Sequence, residues 1–304
     1  MDEAERLKKL EKPKNVVPMV MDTDTFNEID DQFALAFALK LEEKLNLQAV
    51  YAAPFQNHHA EDAATGMERS YQEIHHVLEM LEKTQYSNVV FRGSDRFLAD
   101  EKTPVESEAV RDLIARAMAR PADEPLYVVA IAALTNIASA ILLEPQIVER
   151  LVIIWHGGVT FDWPDCRSFN ACQDIAATRV VMQSGVPMVI QPGRGVVDML
   201  TTTGPELQYW LGGRNRFCDY MIEKTEQEAR MVKQRKVWSR PLFDVAAVAW
   251  LLDDDTYMKD RLEHMPLLSY DASYNIDHRR HLMRYVYSVD RDAILTKLFA
   301  CLAE

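Results

Sequence analysis

Six short runs rich in Val and Ile recur in the front part of the chain, at residues 16–21, 47–53, 89–92, 126–132, 151–155 and 188–191. Most of their positions are apolar, rather than alternate ones. A strand can be apolar on both faces only where both faces are covered, the condition of a parallel sheet held between helices. Longer amphipathic stretches separate the runs and supply the crossovers, at 31–44, 60–82, 107–120, 134–143 and 174–184. Pro18 is an awkward residue for a ladder, because it has no amide to donate. The back half reads as mainly helical, at 223–237, 245–252 and 291–302. The pattern predicts an α/β fold with an open, mostly parallel sheet flanked by helices and a helical C-terminal elaboration. No linker-like tract, low-complexity segment or fixed-period repeat divides the 304 residues, so a single domain over 1–304 is expected. Ligands of such folds gather beyond the carboxyl ends of the strands.

Charge narrows the partners. The formal net charge is −13, with 47 acidic against 34 basic residues. A surface of that sign repels a phosphate polymer, whose binding needs Lys and Arg to displace counterions. The basic run at 233–236 sits on a helical, solvated stretch, so no nucleic acid partner is expected. The four cysteines, Cys166, Cys172, Cys218 and Cys301, form no CxxC pair and no zinc spacing, and read as reduced thiols. Residues 1–14 are a charged run without the apolar core of a signal peptide. No unbroken apolar stretch reaches the roughly 18 residues of a membrane span. A cytoplasmic protein with no membrane contact is the expectation.

The chemistry concentrates directly after the first run, where the chain reads Asp22-Thr23-Asp24-Thr25-Phe26-Asn27-Glu28-Ile29-Asp30-Asp31 and then enters a helix. Five carboxylates in ten residues repel one another unless a cation or protons intervene. Oxygen-only ligands select a hard ion, Ca²⁺ or Mg²⁺, over zinc. One Asp would serve to cap the helix, for about 1 kcal/mol, and capping leaves Asp22 and Asp24 unexplained. A strand ending in Asp-x-Asp-x-Thr/Val is also how haloacid-dehalogenase-like phosphatases place an aspartyl nucleophile. Here Phe26 stands in the Thr/Val place, and no downstream Lys and acidic pair completes that site.

A second likeness reaches further along the chain. The segment resembles the Asp-x-Asp-x-x-x-Asp-Asp signature of the inosine–uridine-preferring nucleoside hydrolase family. Thr135-Asn136-Ile137-Ala138 is similar to that family's Leu-Thr-Asn-Ile-Ala element, and Gly157-Gly158 to its strand ending in Gly-Gly. Ser168-Phe169-Asn170 followed by Asp174-Ile175-Ala176-Ala177 resembles its Glu-Phe-Asn and Asp-x-Ala-Ala. Phe243-Asp244-Val245-Ala246-Ala247 is similar to its late aspartate opening a helix, and 284–287 with 291–293 to its C-terminal strand and helix. The matches run in order over roughly residues 16 to 252.

The resemblance implies Ca²⁺-dependent hydrolysis of the N-glycosidic bond of ribonucleosides, through an oxocarbenium-like transition state. It implies Asp24, Asp31, the Thr135 carbonyl and Asp244 as metal ligands, and Asp24 as the general base on water. Asp30 and Asn170 would hold the ribose hydroxyls, and deoxynucleosides would be poor substrates. Asn57 would stand near the family's ribose-contacting Asn, a register that Phe55 fits as well, and Asp22 would support from behind. A homodimer or homotetramer is implied too. A non-catalytic binder of a ribose-containing ligand is the alternative within the same fold.

Three departures bear on this. The loop from Asp24 to Asp30 is two residues longer than the common form, with Asn27 and Glu28 the additions. Ser168 replaces the Glu that contacts the 5′-hydroxyl. Phe243 stands where many members carry a His that protonates the leaving base. Substitute donors are His156, His278, His281 and Trp238, and Phe26, Phe55, Trp155 and Trp163 could line a nucleobase pocket.

Overall fold

Each of the six Val/Ile runs becomes a strand of one sheet, in a computed structural model that describes residues 1–233, 236–252 and 254–304. The strands are β1 (Val17–Thr23), β2 (Leu45–Ala52), β3 (Val90–Arg92), β4 (Leu126–Ala130), β5 (Leu151–His156) and β6 (Met188–Gln191). Two more follow from the back half, β7 (Met258–His264) and β8 (Leu282–Val289). The sheet order is β3-β2-β1-β4-β5-β6-β8-β7, parallel throughout except for the antiparallel edge strand β7. Pro18 is accommodated because β4 pairs only with Met19 to Asp22, leaving the Pro18 position free on that side.

Side chains alternate between two buried layers. Met19, Met21, Val129 and Ile154 face one apolar cluster, while Val20, Val128, Ile153 and Trp155 face the other. Helices cover both faces. The helix Asp30–Lys40 is buried over its first ten residues and carries Phe33 and Phe37 into the first cluster. On the other face, Glu108–Met118 and Thr135–Leu143 pack Leu113 and Ile137.

The helical C-terminal elaboration is present as Gly204–Leu211, Arg216–Lys233, Val245–Trp250 and Arg291–Ala303. The helix described ends at Lys233, residues 236 and 237 of the expected helix 223–237 are not helical, and residues 234 and 235, part of the basic run 233–236, lie outside the described residues. The back half is also less helical than its pattern predicts, because β7 and β8 join the main sheet. β7 reads Met-Lys-Asp-Arg-Leu-Glu-His and is half-buried or exposed beyond buried Met258, an edge strand blunted by charge rather than announced by apolar residues. Among the described residues no helix is long and apolar enough to cross a membrane.

The order of the strands locates the crevice. The chain winds outward from β1 to β2 and β3, then returns to place β4 on the other side of β1. β1 and β4 are therefore the switch point of the sheet, where the connections leave in opposite directions and open a cleft at the carboxyl ends.

Candidate active site

The acidic segment lies at that switch point. Asp22 pairs with Ala130 across β1 and β4, and the Asp22 carbonyl accepts from the Ile131 amide at 2.9 Å. Asp22, Thr23, Asp24 and Thr25 are all buried. Asp22 Oδ1 accepts from Asn136 Nδ2 at 2.8 Å, and Asn136 Oδ1 accepts from the Ser94 amide at 2.7 Å. One amide side chain thus ties the ends of β1 and β4 to the segment after β3. Thr23 Oγ1 donates to Asp31 Oδ1 at 2.5 Å and lies 2.8 Å from Thr25 Oγ1.

Helix capping does not account for these residues. The helix Asp30–Lys40 starts from Ile29, and neither that cap nor Leu134 before Thr135–Leu143 makes a side-chain capping bond. Asp244 occupies a cap position before Val245–Trp250 without capping it. Its amide instead donates to Asp30 Oδ2 at 3.3 Å. Carboxylate oxygens of Asp30, Asp31 and Asp244 lie within 4.8 Å of one another, all three residues buried. Beside them both oxygens of Asp24 are buried with no hydrogen-bond partner, as is Asp22 Oδ2. Such a set departs from the rule that buried polar atoms are paired.

Electrostatics follow from that crowding. Burial, opposed by the Asn136 bond, lifts the Asp22 carboxyl to about 7. Burial and the neighbouring Asp30 charge push Asp31 up to about 8. Asp24 and Asp244 rise well above the usual carboxylate range, first through burial and then through the other aspartates. A divalent cation among these oxygens reverses that logic and favours the ionised forms. The donor set fits a hard ion, since it is all oxygen, negatively charged and short of partners.

A cavity of about 180 Å³ opens at these carboxylates, and its lining includes Asp30, Asp244, His156, Ser168, Asn170 and Phe243. Asp24, Asp31 and Thr135 are buried and not part of this wall. Asn170 Nδ2 donates to the His156 carbonyl at 2.9 Å, which leaves its Oδ1 unengaged by that bond. Ser168 Oγ accepts from the Gly158 amide at 2.8 Å and from Ala171 at 3.3 Å, capping the short helix Phe169–Gln173. Thr135 Oγ1 donates to Asp174 Oδ2 at 2.8 Å.

Of the four candidate proton donors, His156 alone reaches the cavity. Its ring stacks on Phe243, with centroids 5.1 Å apart and 20° between planes. Burial lowers its pKa to about 4, and its Nδ1 has no hydrogen-bond partner. His278 sits edge-on to His264, and His281 lies near Arg6 and Arg280. Trp238 lies against Gly204 at the start of the helix Gly204–Leu211. Among the aromatics, Phe55 and Trp155 are core residues, Trp163 is half exposed, and Phe26 meets His59 edge-on. Asn57 is held away from the wall: its Nδ2 donates to Asn27 Oδ1 at 2.7 Å and its Oδ1 accepts from the His59 amide at 2.7 Å. The two added loop residues are both anchored, Asn27 by Asn57 and Glu28 by Arg240 at 2.5 Å. Arg240 and Arg194 escaped the sequence reading: Arg240 is recognisable only through its pairing with Glu28, 212 residues away, and Arg194 only through its place in the cavity wall.

Comparison with known proteins agrees with this architecture. Residues 19–295 match the family model described as inosine-uridine preferring nucleoside hydrolase. The pyrimidine-specific ribonucleoside hydrolase RihA of Enterobacter sp. (strain 638) is 24% identical over 268 residues, 79% of this chain and 80% of that protein. Its counterpart of the same name in Klebsiella pneumoniae (strain 342) is 25% identical over 270 residues, 79% of this chain and 81% of that one. Among solved structures, the purine-preferring ribonucleoside hydrolase from Gardnerella vaginalis superposes with a TM-score of 0.71 at 18% identity, covering 94% of this chain and 98% of that one, and so shares the fold. With the acidic cluster at the β1/β4 switch point and the match running over nearly the whole length, the chain belongs to the inosine-uridine preferring nucleoside hydrolase family.

Proposed function

We propose that this glycosyl hydrolase acts as one domain, cleaves the N-glycosidic bond of ribonucleosides, and depends on Ca²⁺ to do so. The observation that carries the reading is Asp24: a buried carboxylate with two unpartnered oxygens, beside Asp30, Asp31 and Asp244 at the switch point of the sheet. Asp24, Asp31, Asp244 and the Thr135 carbonyl would hold the ion. When bound, a hard dication offsets the carboxylate charge and polarises the oxygens it touches.

Asp24 takes the proton of the attacking water, a task suited to a carboxylate that no other donor occupies. Asp30 lines the cavity, and its carboxylate would accept from a ribose hydroxyl there. Asn170 presents its Oδ1 to the same sugar. Ser168 spends its oxygen lone pairs on two amides and retains a hydroxyl proton for the 5′ side of the ribose. Asp22 stays behind the site, bound to Asn136. The stacked His156 and Phe243 present a flat wall to the base, and His156, neutral near pH 7, can donate or accept a hydrogen bond but is not a strong acid. Asn57 acts through Asn27, on which it is bonded. A homodimer or homotetramer is part of the same proposal. The aspartyl-phosphatase alternative falls with membership of a hydrolase family of different chemistry.

The test is base and ribose release from a nucleoside panel with Ca²⁺ and with chelator. Release that needs Ca²⁺ and is much slower for 2′-deoxyinosine than for inosine supports the reading. Tight ribose-dependent binding without products would replace it with a binder.

A further inference from the structure

Away from the acidic cavity, two imidazoles and a carboxylate meet across 169 residues of sequence. His58 and His59 sit in the turn after β2, between Asn57 and Ala60, which bond to each other in both directions. Glu228 projects from the helix Arg216–Lys233. His59 Nε2 lies 3.2 Å from Glu228 Oε2, and His58 Nε2 lies 3.6 Å from Oε1. Ligand-capable atoms of all three fall within 4.8 Å of one another. Donors at about 2.0–2.1 Å from a tetrahedral ion stand roughly 3.3 Å apart, so these side chains are already near the spacing of a ligand shell.

Glu228 supplies a second, separate observation. Its side chain is only 6% exposed, and its Oε1 is buried with no hydrogen-bond partner. At 3.6 Å His58 is too distant to serve as one. A carboxylate oxygen so deep and unengaged, turned toward two imidazoles, lacks the partner that buried polar atoms have.

The donor chemistry differs from that of the cavity. Two imidazole nitrogens with one carboxylate suit a borderline ion such as Zn²⁺, whereas four aspartates suit a hard one. The His58 side chain is 53% exposed, which leaves a coordination position open to water, as in three-ligand sites. We propose that His58, His59 and Glu228 form a second metal site, taking Zn²⁺ or a similar late first-row ion, distinct from the acidic cavity. The site clamps the helix Arg216–Lys233 to the rim: His59 lies edge-on to Phe26 at 5.8 Å, and Asn57 holds Asn27, both in the loop between Asp24 and Asp30.

The experiment uses full-length protein stripped with chelator, loaded with excess Ca²⁺ and titrated with Zn²⁺, with bound metal counted after gel filtration. One Zn²⁺ equivalent is expected to remain in the presence of Ca²⁺, and Co²⁺ in its place to show the visible absorption of a low-coordinate nitrogen–oxygen site. His58→Ala, at an exposed side chain, and the conservative Glu228→Gln should each weaken Zn²⁺ binding by more than about a hundredfold, beyond the loss seen when only an outer partner is removed. Both should keep the circular dichroism spectrum and the Ca²⁺ affinity, and Cys172→Ser should change nothing. Failure to retain Zn²⁺ beside Ca²⁺ overturns the proposal. So does retention unaffected by either variant, or retention lost instead in Asp31→Asn, which would place the ion in the acidic cavity. None of these readouts requires nucleoside hydrolysis, so the outcome is independent of the proposed activity.

Discussion

At the scale of single residues, the unusual expense of this protein is Asp24, a buried carboxylate with neither oxygen bonded. Leaving such a group unpaired costs free energy that burial elsewhere must offset. Asp24→Asn should therefore divide stability from activity. Base release is expected to fall by about 10²–10⁴-fold, the range of a lost general base. In chelator, the same variant should melt at higher temperature than the wild type, because a neutral amide escapes the burial and like-charge penalties that push the Asp24 carboxyl up. A melting curve and a turnover assay read the two effects, and a variant that loses both would contradict the argument. His156 makes a second residue-scale prediction. Its folded pKa is about 4 against an unfolded value near 6.5, so it stays neutral in the native state while the unfolded chain takes up a proton. Its contribution is fully present above about pH 6.5 and is lost as pH falls toward 4, by up to roughly 3 kcal/mol at about 1.4 kcal/mol per unit. Urea unfolding of wild type and His156→Gln at about pH 5 and pH 8 checks the sign: the gap between them should narrow at the lower pH.

At the scale of elements, the site is a meeting of strand ends, and Asn136 is the joint. It bonds Asp22 at the end of β1 and the Ser94 amide beyond β3 from the first turn of the helix that follows β4. Asn136→Ala leaves both partners buried and unpaired, at about 1–3 kcal/mol for each. Denaturant midpoints should show that loss, and activity should drop with it because the Asp22 end of β1 is freed. The same scale explains what the sequence reveals and what it conceals. β4, β5 and β6 are legible because buried parallel strands leave continuous apolar runs, and their bounds agree to within two residues. The carboxylates at the end of β1 are legible because their local crowding has no bland explanation. β7 is not, since an exposed antiparallel edge carries charge rather than apolar pattern. The pairing of Glu28 with Arg240, of Asn57 with Asn27, and of His156 with Phe243 is equally invisible, because nothing in a linear sequence marks which distant residues will meet.

At the scale of the whole molecule, a chain of formal charge −13 gathers Asp22, Asp24, Asp30, Asp31 and Asp244 into one buried region. A cation bound only by the folded state adds RT ln(1 + [L]/Kd) to stability, about 2.7 kcal/mol at a hundredfold excess over Kd. Ca²⁺ should raise the melting temperature in a concentration-dependent way and chelator should reverse it. Scanning calorimetry across a Ca²⁺ series tests this, and a melting temperature indifferent to Ca²⁺ would argue against an ion in the cavity. The sheet order carries one more consequence, for the growing chain on the ribosome. β1 pairs with β2 almost at once, but its other neighbour, β4, is encoded about a hundred residues later. At roughly 5–20 residues per second the open edge of β1 waits about 5–20 s for its partner. Translation tempo over residues 24–126 therefore sets how long an aggregation-prone edge stays uncovered. Synonymous slowing there should lower soluble yield without altering the finished protein.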